Sequence, residues 1–280
     1  MDSNKNILKD LSKDRDLTEK GYAVFSFLKA KEVEELKAFF YQHNKEIPKG
    51  FYATAHSPDI EFRNKMNDKI NEVFRRANNE NFENFHAQGG TFMVKSKGKE
   101  GVLIPHQDWS IVDETKFRSF NVWIPLVDVA VENGTIQVLE GSHKLVDAFR
   151  GPNTPSAFDE VYDEAWQKMK ALTMKAGEAM IYDHRLLHAS TENKTDEGRL
   201  VIVYGIIPKG AEMRYYYVEN DKISEYECNE EFFLKGNPFG GPVGLKKIME
   251  HKNLIPKVRF EKETIGFLQK IKKIFNHNND

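Results

Sequence analysis

Two histidines and one aspartate are placed where they could hold a metal ion together. In the segment Pro105-His106-Gln107-Asp108-Trp109, His106 and Asp108 stand two residues apart between two runs that are typical of β-strands. Side chains at positions i and i+2 of an extended chain point to the same side, so this pair can chelate one ion. A third ligand is then required further along the chain.

His188 is the best candidate for that third ligand among the nine histidines. It follows the β-prone run 179–182 after a short connection. Two imidazoles and one carboxylate on one face leave three open positions, which suits iron(II) that binds an organic co-substrate and dioxygen. His184 would form a zinc motif with His188 in a helix, but the β-prone run before it argues against a helix.

Ser190 and Arg199 follow His188 at spacings that suit the binding of a carboxylate. Ser190 stands two residues later and should share its face, and Arg199 opens the next β-prone run eleven residues later. A guanidinium binds a carboxylate in a bidentate fork, and a serine hydroxyl adds another hydrogen bond. Together these residues could bind a metal ion, chelate an oxoacid at that metal and anchor a distant carboxylate. This combination is stronger evidence than a lone His-x-Asp pair, which could only bind a metal.

Three segments resemble the motifs of the phytanoyl-CoA dioxygenase family of iron(II)/2-oxoglutarate-dependent oxygenases. They are the segment 105–108, the segment 133–143 (NGTIQVLEGSH), and His188-Ala189-Ser190 with Arg199. The resemblance extends over about residues 20 to 220. It implies that His106, Asp108 and His188 hold the iron, and that Arg199 and Ser190 bind the far carboxylate of 2-oxoglutarate.

The same resemblance implies the reaction. Dioxygen and 2-oxoglutarate would be consumed, succinate and carbon dioxide released, and a substrate C–H bond hydroxylated. Aspartate at position 108 favours oxygenation, because related halogenases have a small residue there. The resemblance also implies that His143 is structural and that Trp123 lines the 2-oxoglutarate pocket, with plain core packing of Trp123 left open.

Two further polar residues are candidates for binding the co-substrate. Asn121 shares a strand face with Trp123 and could donate a hydrogen bond to 2-oxoglutarate. Lys95 lies on the run before the metal motif, where it either reaches a carboxylate or is an exposed strand lysine.

The elements that must position these residues are mostly strands. Between about residues 90 and 218 the β-prone runs are 91–95, 119–127, 135–139, 172–175, 179–182, 200–207 and 213–218. We therefore expect a mainly β protein with flanking helices (α+β) and a double-stranded β-helix core of the jelly-roll, cupin-like type. A short strand at 21–28 and helices at 31–43 and 58–76 precede it.

The chain is expected to form a single oxygenase domain over 1–280. Within it, 1–16 reads as a flexible polar leader and 141–170 as an insertion or lid with a helix at 159–170. The stretch 243–280 reads as a helical C-terminal region, because Ile265, Leu268, Ile271 and Phe275 have helical spacing.

Composition excludes several classes of partner. The 41 Lys and Arg against 43 Asp and Glu give a net charge of −2, so no nucleic-acid partner is expected. The sequence lacks a signal peptide and any apolar run of ~18 residues, which predicts a cytoplasmic protein with no membrane contact. The single cysteine, Cys228, excludes an internal disulfide and a thiolate metal site.

The expected substrate is a small molecule, although an acyl-CoA, an amino acid, a secondary metabolite and a peptide side chain all suit the same core. Two alternatives remain. The first is a cupin-like metalloenzyme that does not use 2-oxoglutarate, against which Arg199 and Ser190 argue. The second is a non-catalytic metal-binding protein, against which the complete ligand set argues. The sequence does not indicate an oligomeric state.

Overall fold

A computed structural model describes residues 6–251 of the chain. Its helices are α1 (Leu11–Lys20), α2 (Ala30–His43), α3 (Ile60–Asn81), α4 (Tyr162–Gln167) and α5 (Glu230–Lys235). Its first strands are β1 (Tyr22–Ser26), β2 (Phe51–Ala53), β3 (Phe85–Lys95), β4 (Leu103–His106), β5 (Phe120–Pro125) and β6 (Ile136–Val138). The others are β7 (Lys170–Ala171), β8 (Glu178–Asp183), β9 (His188–Ser190), β10 (Arg199–Pro208), β11 (Arg214–Glu219), β12 (Lys222–Glu227) and β13 (Lys246–His251).

Two antiparallel sheets form the core of the fold. The larger sheet has the strand order β1-β8-β5-β10-β3-β2, and the smaller sheet has the order β4-β9-β6-β7. This arrangement confirms the expected mainly β class with a jelly-roll core and flanking helices. Strands β11, β12 and β13 form a separate three-stranded sheet.

The two faces of the larger sheet have different environments because side chains alternate along each strand. One face carries Val122, Ile124 and Ile202, which pack against apolar residues of α2 and α3. The other face carries Trp123 and Val201, which pack against the smaller sheet. The candidate site residues Lys95, Asn121, Trp123 and Arg199 follow the register of this second, inner face.

The prediction of a flexible leader over 1–16 is wrong for the part that the structure describes. Ile7 and Leu8 are buried in the core, and helix α1 begins at Leu11. Asp10 caps this helix, since its side chain accepts hydrogen bonds from two backbone amides of the first turn. Two buried apolar residues and one helix N-cap thus hold this segment in place, although its overall composition is polar.

The C-terminal part also differs from the expected helical region over 243–280. Residues 246–251 form strand β13, which pairs with β12, a strand that the sequence did not predict. Charged side chains alternate across this sheet, including the ion pair of Lys222 with Glu250, and they hide its apolar periodicity. Ile265, Leu268, Ile271 and Phe275 lie outside the described residues.

The insertion 141–170 is mostly irregular. Its helix α4 is shorter than the expected helix at 159–170, because a 3₁₀ turn covers Asp159–Val161. Val146, Ala157 and Phe158 are buried in a small apolar cluster with Leu187, which ties the insertion to the residue before His188. The expected strand at 172–175 is displaced, because β7 ends at Ala171. Within residues 6–251, no helix is both long enough and apolar enough to cross a membrane.

Candidate metal centre and anion site

The structure brings the three candidate metal ligands together. Strands β4 and β9 pair so that His106 stands opposite His188, and Asp108 follows β4 by two residues. Oδ1 of Asp108 lies 4.0 Å from Nε2 of His106 and 3.8 Å from Nε2 of His188. One ligand atom from each residue lies within 4.8 Å of the other two. Within residues 6–251, no other group of three or more His, Cys, Asp or Glu side chains has its ligand atoms this close together.

Backbone carbonyls orient both imidazoles. Nδ1 of His106 lies 2.7 Å from the carbonyl oxygen of Ile104, and Nδ1 of His188 lies 2.9 Å from that of Leu186. Because a carbonyl oxygen only accepts, each Nδ1 carries the proton and each Nε2 keeps a lone pair. Burial also lowers the pKa of His188 to about 4, so this imidazole is neutral near pH 7, as a ligand must be.

The third ligand, Asp108, is held by two neighbours. Nδ2 of Asn121 donates to Oδ2 of Asp108 at 2.8 Å, which leaves Oδ1 facing the imidazoles. Nε of Arg150 donates to the backbone oxygen of Asp108 at 2.7 Å. Burial acts to raise the pKa of this carboxyl, but the neighbouring imidazoles and the Asn121 amide outweigh burial and hold the pKa below its usual range. The side chain is therefore ionised.

The donor set fits a catalytic iron(II) ion. A structural zinc site is closed by four protein ligands, whereas two imidazole nitrogens and one carboxylate oxygen leave positions open for small ligands. The side chain of His188 is 7% exposed and that of His106 is 39% exposed. The open side of the site is therefore the side of His106.

Lys95 and Arg199 form a pair of buried basic side chains on the inner face. They are register partners on β3 and β10, and their exposed fractions are 0% and 2%. Nζ of Lys95 donates to Oγ of Ser190 and to the backbone oxygen of Thr191, both at 2.6 Å. Ser190 is thereby joined to the cation pair, two residues after His188. The alternative of an exposed strand lysine at position 95 is wrong.

Arg199 is held by a backbone group rather than by an acid. Its Nη1 donates to the carbonyl oxygen of Gly134, and its Nε has no partner in the described part of the chain. Gly134 has a φ of +71°, and a Cβ there would lie 2.6 Å from the backbone oxygen of Thr191. Glycine is thus required for the close approach that puts its carbonyl group beside the guanidinium.

The electrostatics of this pair are unfavourable without an anion. Burial, followed by repulsion from Arg199, lowers the pKa of Lys95 to about 6. Burial alone lowers the pKa of Arg199 to about 10. Neither cation has an ion pair with a carboxylate within residues 6–251. Buried charges are normally paired, so the pair forms a candidate anion site.

Trp123 and Asn121 occupy different parts of the site. The Cζ atom of Arg199 lies 5.5 Å from the centre of the Trp123 ring, so this tryptophan borders the anion site while it packs in the core. Asn121 uses its amide nitrogen on Asp108. The structure thus gives Asn121 a place beside the metal ligand, and a hydrogen bond to the co-substrate is still a prediction.

Two other histidines lie outside the ligand cluster. His143 is buried, and its Nε2 lies 3.1 Å from the backbone oxygen of Thr18. Nδ1 of His184 lies 3.0 Å from Oγ of Ser119. The extended backbone on either side of His184 removes the helix that a His-x3-His zinc motif needs.

Tyr182 is a site residue that the sequence did not reveal. It is buried, its ring centre lies 4.9 Å from that of His188, and it is the register partner of Asn121 on β8. Burial, followed by the negative charge of Asp108, raises its pKa well above the usual value. The hydroxyl stays protonated. Strand alternation on β8 would have placed Tyr182 on the inner face if the strand pairing had been known.

Comparisons with known proteins agree with this geometry. Residues 17–201 match the family model described as phytanoyl-CoA dioxygenase (PhyH). The chain is 32% identical over 111 residues to an Arabidopsis thaliana phytanoyl-CoA dioxygenase, with 39% of each chain covered. It is 25% identical over 167 residues to phytanoyl-CoA dioxygenase domain-containing protein 1 of Danio rerio, with 56% of this chain and 52% of that protein covered. The chain thus spans about half or less of each relative.

Two solved structures share the fold. One is the epimerase SnoN in complex with Fe³⁺, alpha ketoglutarate and nogalamycin RO, with a TM-score of 0.54, 20% identity, and 85% of this chain and 94% of that chain covered. The other is the alpha ketoglutarate dependent carbocyclase SnoK, with a TM-score of 0.54, 18% identity, and coverage of 73% and 86%. Because the family model spans more than half of the sequence, the chain belongs to the phytanoyl-CoA dioxygenase (PhyH) family.

Proposed function

We propose that the protein is an iron(II)- and 2-oxoglutarate-dependent oxygenase that hydroxylates a C–H bond of a small molecule. Oxidation of the substrate is coupled to conversion of 2-oxoglutarate and dioxygen into succinate and carbon dioxide. His106, Asp108 and His188 would hold the iron, and Lys95, Ser190 and Arg199 would bind the far carboxylate of 2-oxoglutarate. Trp123 borders this second group.

The buried pair Lys95 and Arg199 is the observation that carries the proposal. A cupin-like enzyme that binds its substrate directly to the metal has no use for two buried basic side chains without acidic partners. A non-catalytic metal-binding protein has no use for them either. A dicarboxylate whose one end reaches the metal and whose other end meets Lys95 and Arg199 accounts for both parts of the site.

The protein's own residues act by binding and orientation. The backbone carbonyls of Ile104 and Leu186 fix the imidazoles, and Asn121 fixes the carboxylate of Asp108. Bound iron would supply the activation of dioxygen, which no side chain can perform. The reaction requires no side-chain acid or base, and the burial of His188 would limit the access of water to bound iron on that side.

The structural relatives support the cofactors and leave room for several outcomes. The SnoN structure contains Fe³⁺ and alpha ketoglutarate, which favours the same pair in this chain. SnoN is an epimerase and SnoK is a carbocyclase, so related folds direct the oxidation of a substrate in different ways. Hydroxylation is proposed here because it requires nothing beyond the metal site, the co-substrate and a bound C–H bond.

Calorimetric titration with manganese(II) as a redox-stable substitute for iron tests the proposal. The two ligands are 2-oxoglutarate and glutarate, which has the same carbon chain without the oxo group. We expect manganese(II) to strengthen the binding of 2-oxoglutarate by at least about tenfold and to leave glutarate unchanged, because only the oxo acid chelates. The His188→Ala variant should lose the metal effect. Equal binding of both ligands with and without metal would contradict the proposal.

A further inference from the structure

A large cavity adjoins the metal site on the inner face of the sheet. Its volume is about 930 Å³, and its walls come from β3, β10, the turn after β2 and the segment 233–239. Asn121 contributes to the wall, and the same side chain donates to Asp108. The cavity therefore reaches the residue that orients a metal ligand. Its size is typical of pockets that enclose a small organic molecule.

Gln88 enters this cavity wall through an irregularity in β3. Along the β3–β10 ladder, Gly205 pairs with Gly89 and Ile206 pairs with Ala87, so Gln88 has no register partner. Such a bulge redirects a side chain, and bulges are frequent next to active sites. A Cβ on Gly205 would lie 3.2 Å from Cβ of Gln88 and 3.7 Å from Oδ1 of Asn121. Gln88 and Asn121 thus flank the open space that Gly205 leaves.

The amide of Gln88 has unmet hydrogen-bonding capacity. Both its Nε2 and its Oε1 are shielded from solvent, and neither has a partner among residues 6–251. Leaving a buried amide unpaired is unfavourable. Because Gln88 also lines the cavity, a turn of its side chain would let the carbonyl or hydroxyl group of a ligand bind the amide. The neighbouring Asn121, by contrast, already uses its amide nitrogen on Asp108.

The rest of the cavity is mainly apolar. Phe233, Leu234 and Phe239 form one wall, and the ring of Phe239 lies 4.9 Å from that of Trp109, next to Asp108. Arg63 is the one lysine or arginine among the wall residues in the described chain.

Other arginines near the metal are committed to internal acids. Arg150 pairs with Glu114, and Arg118 and Arg185 both pair with Asp183. The three phosphate groups of a CoA thioester would therefore meet little positive charge at this cavity.

From these observations, we propose that Gln88 is a specificity-determining residue that binds the carbonyl or hydroxyl group of a mainly apolar small-molecule substrate in this cavity. This inference rests on the proposed function, because it names the substrate class of the same site. The amide selects substrates by hydrogen bonding, and the apolar wall accepts the carbon skeleton. CoA thioesters are excluded, because the wall residues within 6–251 offer their phosphate groups only one arginine, Arg63.

Binding of a matched pair of probes to the wild type and to Gln88→Met tests the proposal. The probes are 1-indanone and indane, which share a bicyclic skeleton and differ in one ketone. We expect the preference for 1-indanone to be at least about fivefold greater in the wild type than in Gln88→Met, as one hydrogen bond to a buried amide would give. An unchanged preference would overturn the proposal, as would failure of both probes to bind the wild type. Displacement of 1-indanone by CoA would contradict the exclusion of CoA thioesters as substrates.

Thermal unfolding of the ligand-free protein gives a second measurement that needs no ligand. Gln88→Met removes an unpaired buried amide, so we expect Tm to rise by about 2 °C or more. The matched control is Gln137→Met, because Oε1 of Gln137 accepts from Nε1 of Trp166 at 2.9 Å, and its loss should lower Tm. A lower Tm in Gln88→Met would show a structural role and overturn the proposal. Metal-dependent binding of 2-oxoglutarate to the wild type separately tests the proposed function.

Discussion

Lys95 and Arg199 face each other across the β3–β10 ladder as two buried basic side chains without a carboxylate partner within residues 6–251. The ligand-free fold therefore includes an electrostatic cost that a bound dicarboxylate would remove. The hydroxyl of Ser190 and the carbonyl of Gly134 hold the two cations in place. These hydrogen bonds fix the positions of the two side chains, which reduces the entropy that binding of a ligand must lose.

This relationship predicts how stability depends on pH. The pKa of Lys95 is lowered from 10.5 to about 6 in the folded state, so the unfolded chain binds more protons between these values. Burial of Lys95 therefore destabilises the ligand-free protein less as pH rises from about 6 towards 10. The free energy of unfolding should increase by about 1 kcal/mol per pH unit over this range. Urea unfolding at pH 6.5 and 8.5 measures this slope.

The Lys95→Met variant serves as the comparison. It should lack this part of the slope, be more stable than the wild type at pH 6.5, and bind 2-oxoglutarate at least about tenfold more weakly. A variant with the same slope as the wild type would show that Lys95 keeps its proton in the folded state.

Asn121 is predicted to support metal binding through Asp108. The Asn121→Ala variant removes the donor to Oδ2, so the carboxylate loses its fixed orientation. We expect manganese(II) affinity to fall by about tenfold, since such supporting groups typically contribute ten- to hundredfold. Thr91→Ala is a suitable control, because Thr91 also lines the cavity but bonds to Thr54 and not to a metal ligand. Equal losses in both variants would assign the effect to general disturbance of the cavity.

His143 is predicted to stabilise the fold without binding metal. It is buried against the backbone of Thr18 and beside Gly21, whose φ is +89°. The His143→Ala variant should lose about 2 kcal/mol of stability and keep its manganese(II) affinity. Loss of metal binding from a variant that remains folded would show that the ligand set is larger than three.

Arg150 is predicted to have two separable roles. Its guanidinium pairs with the buried carboxylate of Glu114 at 2.6 Å and also donates to the backbone oxygen of Asp108. Arg150→Met should cost about 3 kcal/mol, because Glu114 is left buried and unpaired. The double variant Arg150→Met with Glu114→Leu should recover most of this stability and still bind metal more weakly. Recovery of both properties would show that Asp108 does not depend on Arg150.

Much of the candidate metal centre could be predicted because its candidate ligands lie in local patterns. His106 and Asp108 share a face of one extended segment, and Ser190 and Arg199 follow His188 closely. The position of His188 after a β-prone run, with Ser190 and Arg199 behind it, indicated which histidine completes the set. The burial of Lys95 was harder to predict, because it depends on the pairing of β3 with β10, which are about a hundred residues apart in sequence. Strand periodicity alone does not distinguish the inner face from an exposed one.

The features that the sequence did not reveal depend on tertiary contacts. Tyr182 becomes a site residue through its register with Asn121, and Gln88 through a bulge. The docking of Ile7 and Leu8 depends on the core that forms later in the chain. Half of the residues of strand β13 are charged, so its pairing with β12 leaves little periodic signal in the sequence.

The most direct test of the central claim is an anaerobic titration of the metal-free protein with iron(II) and 2-oxoglutarate, followed by the visible metal-to-ligand charge-transfer band. The account predicts a band in the wild type, no band in His188→Ala, and a band in Arg199→Ala that requires far more 2-oxoglutarate. A wild-type protein that binds iron(II) but shows no band with 2-oxoglutarate would contradict the account.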